Sequence, residues 1–418
     1  MSGSATKRRF LPKRNSGVLV SRLKGVKMRM DAEYKKLIEK LEEHYSEFAK
    51  KSTKCLGRKH FLEEDAFRAP FERDCHRILH SLPFRRLKHK TQVFFAPKDD
   101  HICTRMEHSL HVASISSTIC KRLKLNCVLA EAIALAHDLG HPPFGHLGEK
   151  AMSKVHEEFN KEHATDPLPD FMHEAQSLRV IDYFKNSLHE EPLNLTLEVR
   201  DGVVCHWGEP NEQTLKPEYD KNLKLVEPEA AQCGKPATLE GCVVRMADTI
   251  SYLGRDFEDA CMAGLVTQAD LPPDILGDLG DTNSKIIGAL INDLIDNSRN
   301  KGYLKFSDRI YRALVRMKKF NYSKIYESKE LIGQKERIFL ILNELFGYFI
   351  KILNDDELFK AKANNHNYYC RVFADFLKDM NYPKETNKGQ IASDFVTGMT
   401  DNFAMNCFED LFTIQRVI

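Results

Sequence analysis

Between Arg105 and Glu149 the chain opens as R-M-E-H-S-L-H-V-A and closes as A-L-A-H-D-L-G-H-P-P-F-G-H-L-G-E. The closing part decides the fold. Val128, Leu129, Ile133 and Leu135 give residues 128–138 an apolar helical face that ends on a polar pair, His137 and Asp138. Gly140 and Pro142–Pro143 then interrupt the helix, and Gly145 restarts it. Steps of three and four between apolar residues recur in 31–51 (Tyr34, Ile38, Leu41, Tyr45), 104–124, 145–159, 173–186, 238–262, 283–298, 335–354, 370–380 and 401–415. Thr104, Thr238 and Asp401 are candidate N-caps. Strand-like alternation runs only a few residues around Gln92–Ala96, and there is neither a hairpin signature nor a repeat of fixed period. These patterns predict an all-α fold.

With 42% hydrophobic and 29% charged residues, the 418-residue chain has the composition of a globular protein, and Gly 21 with Pro 16 excludes a low-complexity one. A net charge of +2 excludes a global field for nucleic acid or membrane. The charge is uneven, however. Nine Lys/Arg and no acid fall within residues 1–30, which leaves −7 (+2 less nine) on the remainder. Such a block reads as a solvated tail, with a single-stranded DNA arm or a subunit-contact arm as the sharper alternatives. Residues 338–353 are apolar but interrupted by Asn343, Glu344 and Lys351, so they read as a buried amphipathic helix and not a membrane span. Eleven cysteines, an odd number with no C-x-x-C pair and no apolar leader, read as reduced thiols of a cytoplasmic protein. Residues 99–103, 165–170 and 209–236 read as loops, the last, with four prolines, as a surface insertion or lid. The expected organisation is a basic tail (1–30), a catalytic core (31–330) and a helical C-terminal extension packed on it (331–418).

A His-Asp pair closing an apolar helix is costly to bury unless something binds it. A neutral imidazole and a carboxylate are good ligands for a first-row divalent cation. His108 shares a helical face with Arg105, and Asp248 is a lone acid in an apolar helix (Val243, Val244, Met246, Ile250, Leu253). His108, His137, Asp138 and Asp248 thus form a two-histidine, two-aspartate set. The stiff turn presents His141 and His146 back toward that set. His146 and Glu149, three apart, can touch, and a carboxylate on an imidazole makes a general base. The plainer reading of Glu149 is a first-turn acid favoured by the helix dipole, with His146 as a cap. Arg105 beside a cation suits an anionic substrate, since a guanidinium forks onto phosphate oxygens. Tyr252 and Asp256 follow Asp248 at four-residue steps and suggest a pocket wall; a core tyrosine and a surface acid are the alternative.

At these residues the chain resembles the HD-domain deoxynucleoside triphosphate triphosphohydrolases, the bacterial dGTPase group in particular. The blocks are F84-R-R-L-K-H-K-T-Q-V-F94, R105-M-E-H-S-L-H-V-A113, H137-D-L-G-H-P-P-F-G-H-L-G-E149, H173-E-A-Q-S-L-R179 and A247-D-T-I-S-Y-L-G-R-D256. They occur in family order over roughly residues 55–330. The resemblance implies the HD-domain helical fold and a divalent cation (Mn, Mg or Fe) on His108, His137, Asp138 and Asp248. It implies a dyad of His146 and Glu149 acting at the α-phosphate, with His141 and Arg105 on phosphate and His173 at the same site. Gln92 and Val93 match deoxyribose contacts, with Tyr252 and Asp256 on the other side and Tyr322 or Tyr326, Tyr322 favoured, closing the pocket.

The expected reaction is dNTP hydrolysis, dGTP favoured, to deoxynucleoside and tripolyphosphate. Another HD-domain activity (a 5′-deoxynucleotidase, or a hydrolase of cyclic or hyperphosphorylated nucleotides) and a broad-specificity dNTPase are the alternatives. The resemblance also implies a homo-oligomer, a hexamer favoured, and an activator dNTP site between subunits. Two departures stand out. Thr249 occupies a position where the vertebrate SAM-and-HD-domain relative has a phosphate-reaching lysine, and V-V-C-H-W-G-E after Gly202 differs from the enterobacterial enzymes. His206 or a nearby cation is the expected substitute. With only about fifty residues ahead of the first block, no SAM domain is expected.

Overall fold

The structure of the protein is a computed structural model that describes residues 30–94, 102–185, 191–207, 212–228, 234–355, 357 and 367–413. The nine basic residues of the tail lie outside the described residues. Described helices are α1 Ala32–Glu42, α2 Pro70–Leu79, α3 Leu82–Arg86, α4 Arg105–Leu123, α5 Cys127–Ala136, α6 Gly145–Glu162, α7 His173–Tyr183 and α8 Leu197–Val204. They continue as α9 Leu239–Met262, α10 Pro273–Leu279, α11 Asn283–Ser298, α12 Asp308–Asn321, α13 Lys329–Asn354, α14 Tyr368–Met380, α15 Lys388–Thr397 and α16 Asp401–Phe412. Among the described residues, β structure amounts to Thr214–Leu215 paired antiparallel with Leu304–Lys305 and the bridges Arg58–Thr196 and Thr91–Thr104. The fold is all-α. Residues 95–96 of the short alternating stretch lie outside the described residues.

Local chemistry explains most boundaries. Thr104 caps α4 in a capping box, its hydroxyl accepting from the Glu107 amide while Glu107 accepts from the Thr104 amide. Thr238 caps α9 through the Gly241 amide. Asp401 is not a cap. Thr400 caps α16 through the Phe403 amide, and Asp401, the first helical residue, is buried and turned toward distant segments. The helix expected over 31–51 ends at Glu42, because the buried Glu42 carboxylate accepts from the Ser52 and Thr53 amides and the Thr53 hydroxyl and folds the chain back. Helices α2, α3, α8, α10, α12 and α15 have no counterpart in the periodicity above. Helix α8 shows why: all of its residues are buried, Glu198, Arg200 and Asp201 included, so it has no apolar stripe to read.

Two large apolar clusters hold most of the helices, and a third, small one (Leu178, Leu197, Val204, Leu223, Val226) packs α7 and α8 against the segment before α9. In the largest, α4, α5 and α9 pack on one another, with Leu129, Ile133, Val243, Val244 and Ile250 fully buried. The second joins α6 to α13–α16 through Met152, Leu342, Phe349, Phe373 and Phe395, with the Phe349 ring 4.7 Å from Phe373 and 4.8 Å from Phe395. Helix α13 buries Ile338, Leu342, Leu345, Phe349 and Ile352 and turns Lys351 outward. No described helix is long and apolar enough to cross a membrane, and no disulfide links the described cysteines. The described part of 209–236 is fastened down, with Leu215, Leu223 and Val226 buried and Lys221 2.8 Å from the buried Asp201 carboxylate.

Candidate active site

The three central helices bring the four chosen ligand side chains together. The capped end of α4 supplies His108, the C-terminal end of α5 supplies His137 and Asp138, and mid-α9 supplies Asp248. His108 Nε2 lies 2.9 Å from Asp248 Oδ1, and His137 Nε2 lies 3.7 Å from Asp138 Oδ1 and 3.9 Å from Asp248 Oδ1. His137 Nδ1 donates to the Ala134 carbonyl at 2.7 Å, so its lone pair is on Nε2, which is buried with no hydrogen-bond partner. Burial lowers the pKa of His137 and keeps it neutral. Burial works against ionisation of Asp138, but the charges of Arg105 and neighbouring histidines hold it well below the usual carboxylate range. Asp248 is likewise held low, against burial, by the hydrogen bond and charge of His108. An orphaned imidazole nitrogen among ionised carboxylates is a donor set that a divalent cation satisfies. The spacing fits as well, since ligand atoms ~2.1 Å from one ion stand ~3 Å apart as neighbours and ~4.2 Å apart across it.

Arg105, 1% exposed, donates from Nη1 to Asp138 Oδ2 at 2.6 Å, while its Nε and Nη2 have no partner. Three donors of the fork thus remain for an anion. Beyond Asp138 the turn is held tightly. Ser177 Oγ accepts from the Gly140 amide at 2.9 Å and donates to the His137 carbonyl at 2.6 Å. Phe144 has φ +68°, a conformation that costs a non-glycine residue roughly 1–2 kcal/mol and that its surroundings must enforce. Gly145 follows at φ +56°, where a Cβ would collide with the Gln92 carbonyl oxygen.

This turn aims His141 inward, fully buried, with both ring nitrogens unpartnered, and leaves His146 half-exposed at the cavity. Burial, then Arg105 and His173, holds His141 well below the normal histidine range. Glu149 is placed between two imidazoles, and the shorter contact is not the one the sequence suggested. His146 Nδ1 is 3.8 Å from Glu149 Oε2, whereas His173 Nδ1 is 2.6 Å from Oε1. His173 Nε2 is 3.1 Å from His206 Nε2, and His206 Nδ1 donates to the Val203 carbonyl. Burial, with the neighbouring His137 and His173 rings, pushes His206 down to about 3, so it is the acceptor and His173 donates at both ends.

Burial opposes the charge on His173, but Glu149 and Glu174 overcome it and raise the group to about 10. A raised histidine stabilises the fold fully below its unfolded pKa of about 6.5 and ceases to do so once pH passes the folded value. In EDTA-treated protein the unfolding free energy should therefore decline between pH 6.5 and 10, and His173→Gln should flatten that decline in urea titrations. An unchanged slope in the variant would refute the assignment.

The cavity above these groups has a volume of about 370 Å³, within the range of small-ligand sites. Gln92, Val93, Arg105, His141, His146, Glu149, His173, Tyr252 and Tyr322 all line it. Gln92 Oε1 is buried without a partner. Asp256 stands behind the wall, 1% exposed, accepting from the Tyr326 hydroxyl, with burial raising its pKa to about 6. Of the pair expected to form a pocket wall, Tyr252 lines the cavity while Asp256 holds this tyrosine hydroxyl. Tyr326 rather than Tyr322 makes that contact, because Tyr322–Tyr326 form a π-helical turn that sends Tyr326 inward and leaves Tyr322 49% exposed. His206, Trp207, Thr249 and Lys150 also line the cavity. Of these, Lys150, over the Tyr322 ring at 5.7 Å, carried no sequence signal beyond its place beside Glu149.

Comparison with known proteins agrees with this geometry. The HD domain model matches residues 105–253, and the phosphohydrolase-associated domain model matches residues 304–410. A deoxyguanosinetriphosphate triphosphohydrolase-like protein of Caldanaerobacter subterraneus is 35% identical over 88% of this chain and 92% of its own length. Proteins of the same description from Desulfatibacillum aliphaticivorans (35%, covering 88% and 94%) and Clostridium tetani (32%, covering 88% and 93%) are similar along nearly the whole chain. A convergent histidine–aspartate cluster on the floor of a pocket, carried by an all-helical core, is what a hydrolase of this kind requires, and the chain belongs to the HD-domain phosphohydrolase family of deoxyguanosinetriphosphate triphosphohydrolase-like proteins.

Proposed function

We propose that the protein hydrolyses a deoxynucleoside triphosphate, dGTP favoured, to the deoxynucleoside and tripolyphosphate, and that it needs a divalent cation to do so. The observation that carries this reading is His137 Nε2, buried and unpartnered beside two carboxylates at the base of a pocket that also holds the open donors of Arg105. The base preference rests on the name its relatives carry.

In this reading His108, His137, Asp138 and Asp248 hold the cation, which when bound polarises the α-phosphoryl oxygens. Arg105 takes a phosphate oxygen with its free Nη2 and Nε, and His141, kept neutral, contacts phosphate beside it. Water adds to the α-phosphorus, and the bond from that phosphorus to the 5′-oxygen breaks. His146, with Glu149 nearby, moves the proton that leaves the water and the one that the 5′-oxygen gains. Charged His173 steadies Glu149. Gln92, Val93 and Tyr252 face the sugar, with Tyr326 braced by Asp256. Lys150 supplies at the cavity mouth the positive charge that Thr249 does not. A homo-oligomer, a hexamer favoured, and an activating dNTP belong to the same reading.

The test is product analysis with each dNTP, singly and in pairs, in Mn²⁺, Mg²⁺ or Fe²⁺, by phosphorus NMR. Tripolyphosphate is expected from dGTP. Orthophosphate released from a deoxynucleoside monophosphate, with triphosphates untouched, would replace this reading by a nucleotidase.

A further inference from the structure

The turn that carries His141 and His146 is not held by the catalytic helices alone. Asp401, at the start of α16 and 3% exposed, accepts from the Phe144 amide at 3.0 Å through Oδ1. Its Oδ2 accepts from the Thr91 hydroxyl at 2.6 Å and the Thr91 amide at 3.2 Å. One carboxylate therefore joins the left-handed residue between the two histidines to the residue just before Gln92. Beside it Lys90, 2% exposed, donates from Nζ to the His141 carbonyl and to the Thr397 carbonyl, the latter at 2.8 Å. Gln176, one turn along α7 from His173, donates to Asp394 at 3.0 Å and Thr397 at 3.1 Å. The Phe144 ring itself is buried in the smaller apolar cluster with α13–α16.

We propose that Asp401 is a positioning residue for the reaction proposed above: from the C-terminal helices, and seconded by Lys90, it sets the register between the His141–His146 turn and the Gln92 segment. A backbone that is unfavourable at Phe144 persists only where neighbours over-determine it, and an amide donated to a buried carboxylate is the strongest single restraint available there. The C-terminal helices thus act on the site through backbone placement, beyond the one lining residue, Leu331, that α13 contributes to the cavity among the described residues. The inference rests on the proposed function only for its kinetic arm.

Full-length Asp401→Asn, which keeps the side-chain volume and removes the charge, tests it. Amide hydrogen exchange in residues 140–145 should accelerate at least ~10-fold while 105–123 and 239–262 exchange as in the wild type. Bound cation per chain should be unchanged, and kcat should fall at least ~10-fold with a smaller change in KM. Uniform acceleration along the chain, no acceleration, or local acceleration with full kcat would each overturn the proposal. Where Asp401→Asn does not fold, Thr91→Val, which deletes one hydroxyl donor, reads the same local change at ~5-fold. Wild-type protein that releases no tripolyphosphate would sink the proposed reaction, and the exchange data would still decide the role of Asp401.

Discussion

His137→Ala is expected to remove the bound cation and to lower turnover at least ~10³-fold, the loss that follows when several kcal/mol of transition-state charge stabilisation is withdrawn. The lost nitrogen is buried without a hydrogen-bond partner, whereas His108 Nε2 can fall back on Asp248 Oδ1 at 2.9 Å. The fold should survive, because the ring's other contacts are a single backbone carbonyl and neighbouring imidazoles. Metal analysis alongside a tripolyphosphate assay checks both halves. Turnover at the wild-type rate in cation-free variant would rule out the proposed chemistry.

Arg105→Leu should behave differently. Breaking a buried ion pair leaves Asp138 charged and uncompensated, at a cost of about 3–5 kcal/mol in unfolding free energy near pH 7. Asp138 is the depressed partner, so its stabilisation exists above the unfolded carboxylate pKa and vanishes as pH falls through the lower folded value. The gap between variant and wild type should therefore narrow in acid. Cation binding should persist, since all four ligands remain, while hydrolysis drops ~100-fold or more through loss of the phosphate contact. A variant less than ~1 kcal/mol weaker than wild type would mean that the pair contributes no more than an exposed one.

His137, Asp138 and Asp248 stand out in the sequence because each is a polar residue set in an apolar helix, a mismatch that periodicity exposes without any knowledge of the partner, and His108 stands out by sharing a helical face with Arg105. Thr104 and Thr238 were legible for a local reason too, as a hydroxyl satisfies amides only two or three residues ahead. Asp401 was not. Thr400 and Asp401 both have capping side chains, and only the fold decides that the second reaches Thr91, 310 positions away in the sequence. Both Tyr322 and Tyr326 were candidates, and the choice between them turned on the π-helical turn, which shifts side chains off the 3.6-residue spacing that any pattern reading assumes. The His173–Glu149 contact joins the first residue of α7 to the second turn of α6, so proximity in the chain favoured His146 instead.

Helix α5 delivers His137 at its very end, with its carbonyl-rich terminus beneath the two aspartates. That terminus carries a partial negative charge. It adds to the negative charge that Asp138 and Asp248 place there, against which Arg105, His173 and Lys150 set positive charge around the pocket. A cation held between the aspartates should therefore strengthen nucleotide binding, and calorimetric titration of nucleotide into EDTA-treated protein should give a weaker isotherm than with the cation restored.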